Sequence, residues 1–175
     1  MKTFNPADYQ GRLANLIRIG TVSAVDTTQG RCRVKTGELE TDWLHWLTSR
    51  AGHIKMWSTP SIGEQVLILS ISGELTTAFV LPAIFSDANP APSASEQAIL
   101  LHFPDGVQCH YEPKTGHVAV TGIKTATITA ATSITLDSPV VTCTQQFITD
   151  SLQVNRGGTL RGDLTHPQCQ SSCRL

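Results

Sequence analysis

The stretch that decides the fold is Thr121–Val154, which begins Thr-Gly-Ile-Lys-Thr-Ala-Thr-Ile-Thr-Ala-Ala-Thr-Ser-Ile-Thr-Leu-Asp-Ser-Pro. Between Thr125 and Leu136 apolar and polar residues alternate, with exceptions only at Ala131 and Thr132. A period of two residues predicts a β-strand, and β-branched threonine suits a solvated strand surface. The apolar side of this strand consists of Ala126, Ile128, Ala130, Ile134 and Leu136.

This apolar stripe has no obvious cover within its own part of the chain. Its residues are small, Phe147 is the single aromatic of the region, and no helical pattern lies nearby. A lone ribbon would expose both its apolar face and its edges. We therefore expect several copies of the chain to wrap round one axis as an oligomeric β-prism or β-helix, with the stripe as its core. The alternative is an ordinary sheet covered by the rest of the chain, although large covering residues occur mainly far upstream.

Composition excludes several classes of protein. The chain has 175 residues and a net charge of −1, and no run is long enough for a transmembrane helix. Residues 1–113 carry 8 basic and 11 acidic side chains, whereas residues 114–175 carry 5 and 3. Nothing indicates a nucleic-acid or membrane-surface footprint. The start of the chain lacks the pattern of a signal peptide, so we expect synthesis in the cytoplasm.

The first 20 residues predict a helical segment. Asn5-Pro6-Ala7-Asp8 is typical of a helix start, apolar residues from Tyr9 to Ile17 follow at helical spacing, and Gly20 ends the run. This amphipathic helix packs either on its own domain or on a neighbouring protein, and the sequence leaves both open.

Residues 21–85 predict a small closed barrel of the OB type. Short alternating or apolar runs are separated by turns, and Pro82 interrupts the last of them. The predicted strands are Thr21–Asp26, Arg31–Thr36, Asp42–Leu47, Gln65–Ser70 and Thr77–Phe85.

A linker and a second β-rich region follow the barrel. Residues 86–97 are small and include two prolines, which predicts a semi-extended linker and a domain boundary near residue 90. Short strands are predicted at 99–103, 107–111 and 117–120, and they lead directly into the alternating stretch. We assign residues 98–165 to the oligomeric β-prism or β-helix and 166–175 to a tail at its apex.

The histidines and cysteines predict no catalytic site. His45 lies between tryptophans in a strand and His53 has no partner at a recognisable spacing. The remaining candidates are no stronger: spacing places no acidic or thiol partner for His102, His110 and His117, and Glu38 and Glu40 have no cleft. Cys32, Cys109 and Cys143 are most simply small buried hydrophobic residues. No nucleophile elbow, phosphate loop or metalloprotease helix is present, so we expect no enzyme.

Two binding functions remain as alternatives. OB barrels bind nucleic acid or sugar, and Trp43, Trp46 and Trp57 supply aromatic rings. Single-strand binders also need a basic groove, and the N-terminal region is net acidic, so we expect no nucleic-acid partner. A receptor-binding fibre would usually end in a bulky aromatic head, and only nine residues follow His166.

The order of these parts resembles a known family. Its marks are Pro60-Ser61-Ile62-Gly63-Glu64 in the barrel, Phe103-Pro104-Asp105-Gly106 after the linker, the Thr-rich run, and Gly157-Gly158-Thr159-Leu160-Arg161-Gly162-Asp163. The combination closely resembles the baseplate assembly protein V family, the central spikes of contractile-tailed phages and R-type pyocins. The resemblance implies a homotrimer in the virion tail baseplate. Its OB domain would dock on the tail hub beside other baseplate proteins, and its intertwined β-helix would pierce the host outer membrane. The spike of a type VI secretion-like system is an alternative of the same architecture.

The apex departs from that family. Relatives often end in a His-x-His pair, and three such pairs enclose one iron ion on the trimer axis. Here no His-x-His follows Gly158, and His166, Cys169 and Cys173 are the only candidate ligands. His166 with Cys169 from three chains would suit zinc or iron, but Pro167 breaks the strand between them. The two cysteines could instead form a disulfide or stay free thiols. We expect a metal-free apex, which is open to completion by a separate tip protein.

Overall fold

A computed structural model describes residues 6–158 of the chain, with side chains from residue 8 onward. The chain divides into two units, Met1–Thr125 and Ala126–Leu175. It contains two single-turn 3₁₀ helices, Ile71–Gly73 and Leu75–Thr77. The helix and strands are α1 Pro6–Ala14, β1 Ile17–Asp26, β2 Arg31–Thr36, β3 Leu39–Glu40, β4 Leu44–Trp46, β5 Gln65–Leu69, β6 Phe79–Ile84, β7 Ile99–His102, β8 Gln108–Glu112 and β9 His117–Thr121.

Five strands of the first unit close into the predicted barrel. Their order is β1-β5-β6-β4-β2, and antiparallel pairing of β1 with β2 completes the ring. All of these neighbours are antiparallel except β4 and β6, which are parallel. The short strand β3 extends β2 beyond the ring. The protein is therefore mainly β, with an OB-like barrel and little helix.

Alternation along the strands fills the barrel. Every second residue of β2 and β5 is buried, and the hydrophobic core of the barrel consists of aliphatic side chains and one thiol, with Thr36, Thr41 and Ser70 buried beside it. The buried apolar residues are Val22, Cys32, Val34, Leu44, Val66, Ile68, Ala78 and Val80. Only glycine fits at position 20 within β1, because a Cβ there would clash with the Val34 side chain and lie 2.7 Å from the Lys35 carbonyl oxygen.

The helix is shorter than the sequence predicted. It ends at Ala14, and Ile17, which was assigned to the helix, begins β1. Ile17 is opposite Leu69 in the ladder between β1 and β5. The spacing of Ile17 fits a strand as well as a helix, and the tertiary pairing with β5 decides in favour of the strand. The helix packs on its own barrel. Its Arg12 backbone lies so close to Gly73 that a Cβ at position 73 would clash with it. The Arg12–Glu74 ion pair, at 3.2 Å, joins the same elements.

Pro82 does not end the last barrel strand. β6 continues through it because the register with β5 shifts between Gln65 and Leu67, and Ala83 takes a φ of 79°. Proline is tolerated at such bulges, where no ladder hydrogen bond is needed. The Glu64 carboxylate accepts hydrogen bonds from the Ala83 amide at 3.0 Å and the Ser61 amide at 2.8 Å. One acid therefore joins the turn before β5 to the bulge in β6.

The remaining strands of the first unit form a separate antiparallel sheet, β7-β8-β9. Its strands match the sequence-predicted runs to within a residue or two at each end. None of the helices in the described part of the chain is long and apolar enough to cross a membrane.

Candidate trimer-assembly site

The predicted core stripe is exposed in the single chain. Ile128 is 76% exposed, and Ile134 and Leu136 are also largely in contact with solvent. Ala126 and Ala130 are exposed as well. Leaving such a stripe in water forfeits about 1.5–3 kcal/mol for each large aliphatic side chain that could be buried. This is the surface that a partner chain would cover.

The backbone of residues 126–158 forms no strand ladder within the chain. The side-chain hydrogen bonds described there are local, for example Ser138 Oγ to the Val140 carbonyl at 2.9 Å and Thr149 Oγ1 to the Ser151 carbonyl at 2.8 Å. Unpaired amide and carbonyl groups beside an apolar stripe are the two features that strand pairing between chains satisfies together. The alternative of an ordinary sheet covered by the same chain finds no support in the described residues.

The exposed apolar surface continues past the stripe. The large hydrophobic residues after Leu136 in the described segment are all exposed: Val140, Val141, Phe147, Ile148, Leu152 and Val154. Cys143, which the sequence analysis expected to be buried, is exposed, and its thiol lies 3.1 Å from the Gln146 carbonyl. A small hydrophobic residue is buried only where a strand ladder or a partner chain covers it, and neither covers Cys143 in the described single chain.

The β7-β8-β9 sheet presents a second exposed apolar face. Two rows cross its three strands, because Tyr111 lies opposite both Ile99 and Val118, and Cys109 lies opposite both Leu101 and Val120. Cys109 is half-buried, and the other five side chains are exposed. This face was not predicted, since it depends on strand register. The outer strands β7 and β9 each have one open edge in the described sheet.

The three histidines of this sheet do not converge on a site. His110 lies opposite Leu100 and Ala119, His102 opposite Gln108, and His117 opposite Glu112. In residues 6–158 no group of three His, Cys, Asp or Glu side chains is placed to hold a metal ion. The apical candidates His166, Cys169 and Cys173 lie outside the described residues.

The titratable residues of the barrel serve structural roles. His45 Nδ1 is 3.2 Å from the Gly30 carbonyl, and its Nε2 accepts from Arg31 Nε at 3.3 Å. Glu40 pairs with Arg33 at 3.3 Å and accepts from Ser23 at 2.8 Å. Burial raises the pKa of the Cys32 thiol to about 11, and the Glu64 carboxylate adds to the effect. A thiol so far from ionisation is neither a nucleophile nor a ready metal ligand.

The barrel also carries a basic hairpin, residues 47–57. The backbone amide of Met56 donates to the Arg50 carbonyl at 2.9 Å, and a bridge joins Ala51 to Lys55. The Trp57 ring lies 5.4 Å from that of Trp46 and is mostly exposed. The acidic side chains nearest in sequence, at positions 42 and 64, lie outside the hairpin. The tryptophans are evident in the sequence, whereas the ordered cationic loop was not predicted from it.

A small closed barrel followed by a long exposed apolar segment, which forms no strand ladder by itself, is typical of β-structural proteins that assemble from several copies. Residues 18–85 match the family model described as the type VI secretion system/phage-baseplate injector OB domain, and residues 122–172 match the phage spike trimer model. The chain is also 50% identical over 169 residues to the spike protein of Escherichia phage P2, with 88% of this chain and 80% of that protein covered.

The chain therefore belongs to the family of phage baseplate spike proteins. It is a structural component of the virion tail, where it acts as a tail spike and forms a trimer within the baseplate. The resemblance seen in the sequence, and the trimer and OB domain that it implied, are confirmed.

Proposed function

We propose that residues 98–165 of three chains intertwine into a β-prism or β-helix whose axis is lined by Ala126, Ile128, Ala130, Ile134 and Leu136. The single observation that carries this is the 76% exposure of Ile128 in a segment whose backbone has no ladder of its own. Three copies round one axis bury the stripe and pair the strand edges at the same time.

The apolar face of the β7-β8-β9 sheet belongs to the same assembly. Ile99, Leu101, Val118 and Val120 stand exposed on strands that lead directly into the stripe. Three such sheets can close as the sides of a prism with these residues inside. The polar face, with its three histidines and Glu112, then stays in solvent.

The proposed work is mechanical. Sheath contraction drives the tail tube forward, the barrel docks on the tail hub, and the spike transmits the force to the host outer membrane. A strand interwound with two others leaves only when hydrogen bonds to both are broken, so the tip resists unravelling under load. Such assemblies unfold slowly because their persistence is governed by the height of the unfolding barrier.

This role requires no catalysis, no nucleic acid and no resident cofactor. We propose that the chain is made in the host cytoplasm, assembles with the hub and other baseplate proteins, and carries a metal-free apex at His166, Cys169 and Cys173. The barrel model covers type VI secretion and phage injectors alike, whereas the identity to a phage spike over most of both chains favours the phage context over a secretion system.

Complementation tests the role directly. A phage P2 lysogen whose spike gene is inactivated is supplied with this chain, and assembled contractile tails are counted by electron microscopy after induction. We expect the wild-type chain and Thr127→Asp to restore tails, and Ile128→Asp to restore none. Tails assembled as well by Ile128→Asp as by Thr127→Asp would contradict the proposed axis.

A further inference from the structure

The barrel carries an uncharged apolar patch on its outside, which we call the outer face. In the register of β1, β5 and β6, Leu69 lies opposite both Ile17 and Phe79, and Leu67 lies opposite both Ile19 and Leu81. Ile68, between Leu67 and Leu69, and Val80, between Phe79 and Leu81, are buried inside the barrel. The outer face is thus two rows of three side chains: Ile17, Leu69 and Phe79, and Ile19, Leu67 and Leu81.

These side chains are not covered by the chain itself. Ile17, Ile19, Phe79 and Leu81 are exposed, and only the two leucines of the central strand are half-buried. The outer face ends at polar positions, Thr21 opposite Gln65 on β1 and β5, and His45 beside Phe79 on β4. An apolar patch with a polar border is typical of a protein contact surface.

The outer face and the basic hairpin differ in charge, and this difference decides which of them suits contact with a second copy of the chain. Three copies of a compact patch that faces a threefold axis lie close to one another, so any net charge on the patch opposes the contact. The outer face has no charged side chain, since Arg18 of β1 turns away to Thr36 Oγ1 at 3.2 Å and Asn15 Oδ1 at 2.9 Å. The basic hairpin would instead repel its own copies through Arg50 and Lys55.

The chain's connectivity brings the outer faces of one trimer within reach of each other. Residues 85–98, between β6 and β7, span about 50 Å at most when fully extended. Their first part is fastened to the barrel, because Ser86 and Asn89 exchange backbone hydrogen bonds at 3.0 Å and the Asn89 side chain donates to the Gly63 carbonyl at 3.3 Å. Both anchor points adjoin β5 and β6, the strands that carry the outer face. Tethered partners meet at effective concentrations in the millimolar range, at which a small apolar contact suffices.

We propose that the outer face is the contact between barrels: it packs against the outer faces of the other two copies, so that the barrels close round the threefold axis as the spike segments do. This rests on the trimer but not on the direction in which Ile128 points. The basic hairpin takes no part in this contact.

Site-specific photocrosslinking tests the contact in the full-length trimer. p-Benzoylphenylalanine replaces Ile19 in one protein, Ile17 in a second and Ile54 in a third. Ile19 and the hairpin residue Ile54 are a matched pair, at 58% and 63% exposure. Each purified protein is irradiated, boiled in detergent and analysed on a gel, and the crosslinked peptides are identified by mass spectrometry.

We expect chain-to-chain adducts from positions 19 and 17, mapped to β1, β5 or β6 of another copy, with a yield that does not fall on dilution. Position 54 should give none. The mass of the unirradiated particle is measured on the same sample. A particle of trimer mass without adducts at 19 and 17, or with equal adducts at 54, overturns the barrel contact alone, whereas a monomeric mass overturns both this contact and the trimer.

Discussion

Replacing Ile128 by aspartate is expected to abolish the trimer. In the single chain this side chain is 76% exposed, and in the proposed assembly it is buried at the axis. Losing that burial costs about 2 kcal/mol for each chain, or about 6 kcal/mol for each trimer. The substitution also forces three carboxylates into one apolar core.

The carboxylates add a larger cost. To enter the core neutral at pH 7, each aspartate must raise its pKa by about three units from its usual value, which costs about 4 kcal/mol. Three of them bring the total penalty to about 18 kcal/mol for each trimer. About 1.4 kcal/mol changes an equilibrium constant tenfold, so this penalty lowers the association constant of the trimer by many orders of magnitude. We therefore expect no trimer at micromolar concentration.

The assay is size-exclusion chromatography with light scattering at micromolar concentration. Thr127→Asp is the matched control, because it introduces the same charge one position away on the polar side. We expect monomers or aggregates for Ile128→Asp and intact trimers for Thr127→Asp. The opposite pattern would show that the inward and outward sides of the strand are reversed, and two intact trimers would refute burial of the stripe.

Three further predictions follow from the same structure. A fragment starting at Ala98 should still form a heat-resistant trimer by light scattering and circular dichroism; a protease-sensitive monomer would contradict the boundary placed in the linker. Gly20→Ala should destabilise the barrel by about 1–3 kcal/mol in denaturant titration, because its Cβ would lie 2.7 Å from the Lys35 carbonyl oxygen, whereas Gly52→Ala, with open space around it, should change little. Elemental analysis of the purified trimer should find no stoichiometric metal; about one iron or zinc for three chains, lost in His166→Ala, would show a metal at the apex.

The parts of the fold that depend on local pattern could be predicted from the sequence. The bounds of β2, Arg31–Thr36, follow from alternation beside a turn, and the structure has the same bounds. The end of α1 was wrong because Leu16 and Ile17 satisfy both a helical and a strand pattern, and only pairing with β5 decides between them. The bulge that keeps Pro82 within β6 likewise depends on Glu64, which lies far from it in sequence.

The surfaces of the assembly likewise divide into one that a local run of sequence shows and others that depend on the pairing of strands. The stripe from Ala126 to Leu136 is one continuous run of sequence, so its alternation can be read without any structure. The outer face and the apolar face of β7-β8-β9 each combine three strands, and no single run of sequence displays them. Cys143 was expected to be buried because it lies in a strand-like run, but burial there requires partner chains, which the sequence of one copy does not show.

The central claim is that the exposed stripe makes the trimer obligatory, and sedimentation equilibrium tests it most directly. The wild-type chain is measured over a dilution series from micromolar to nanomolar, with circular dichroism recorded on the same samples. We predict a single species of about three times the 18.9 kDa chain mass at every concentration. A folded monomer that persists on dilution would contradict the account.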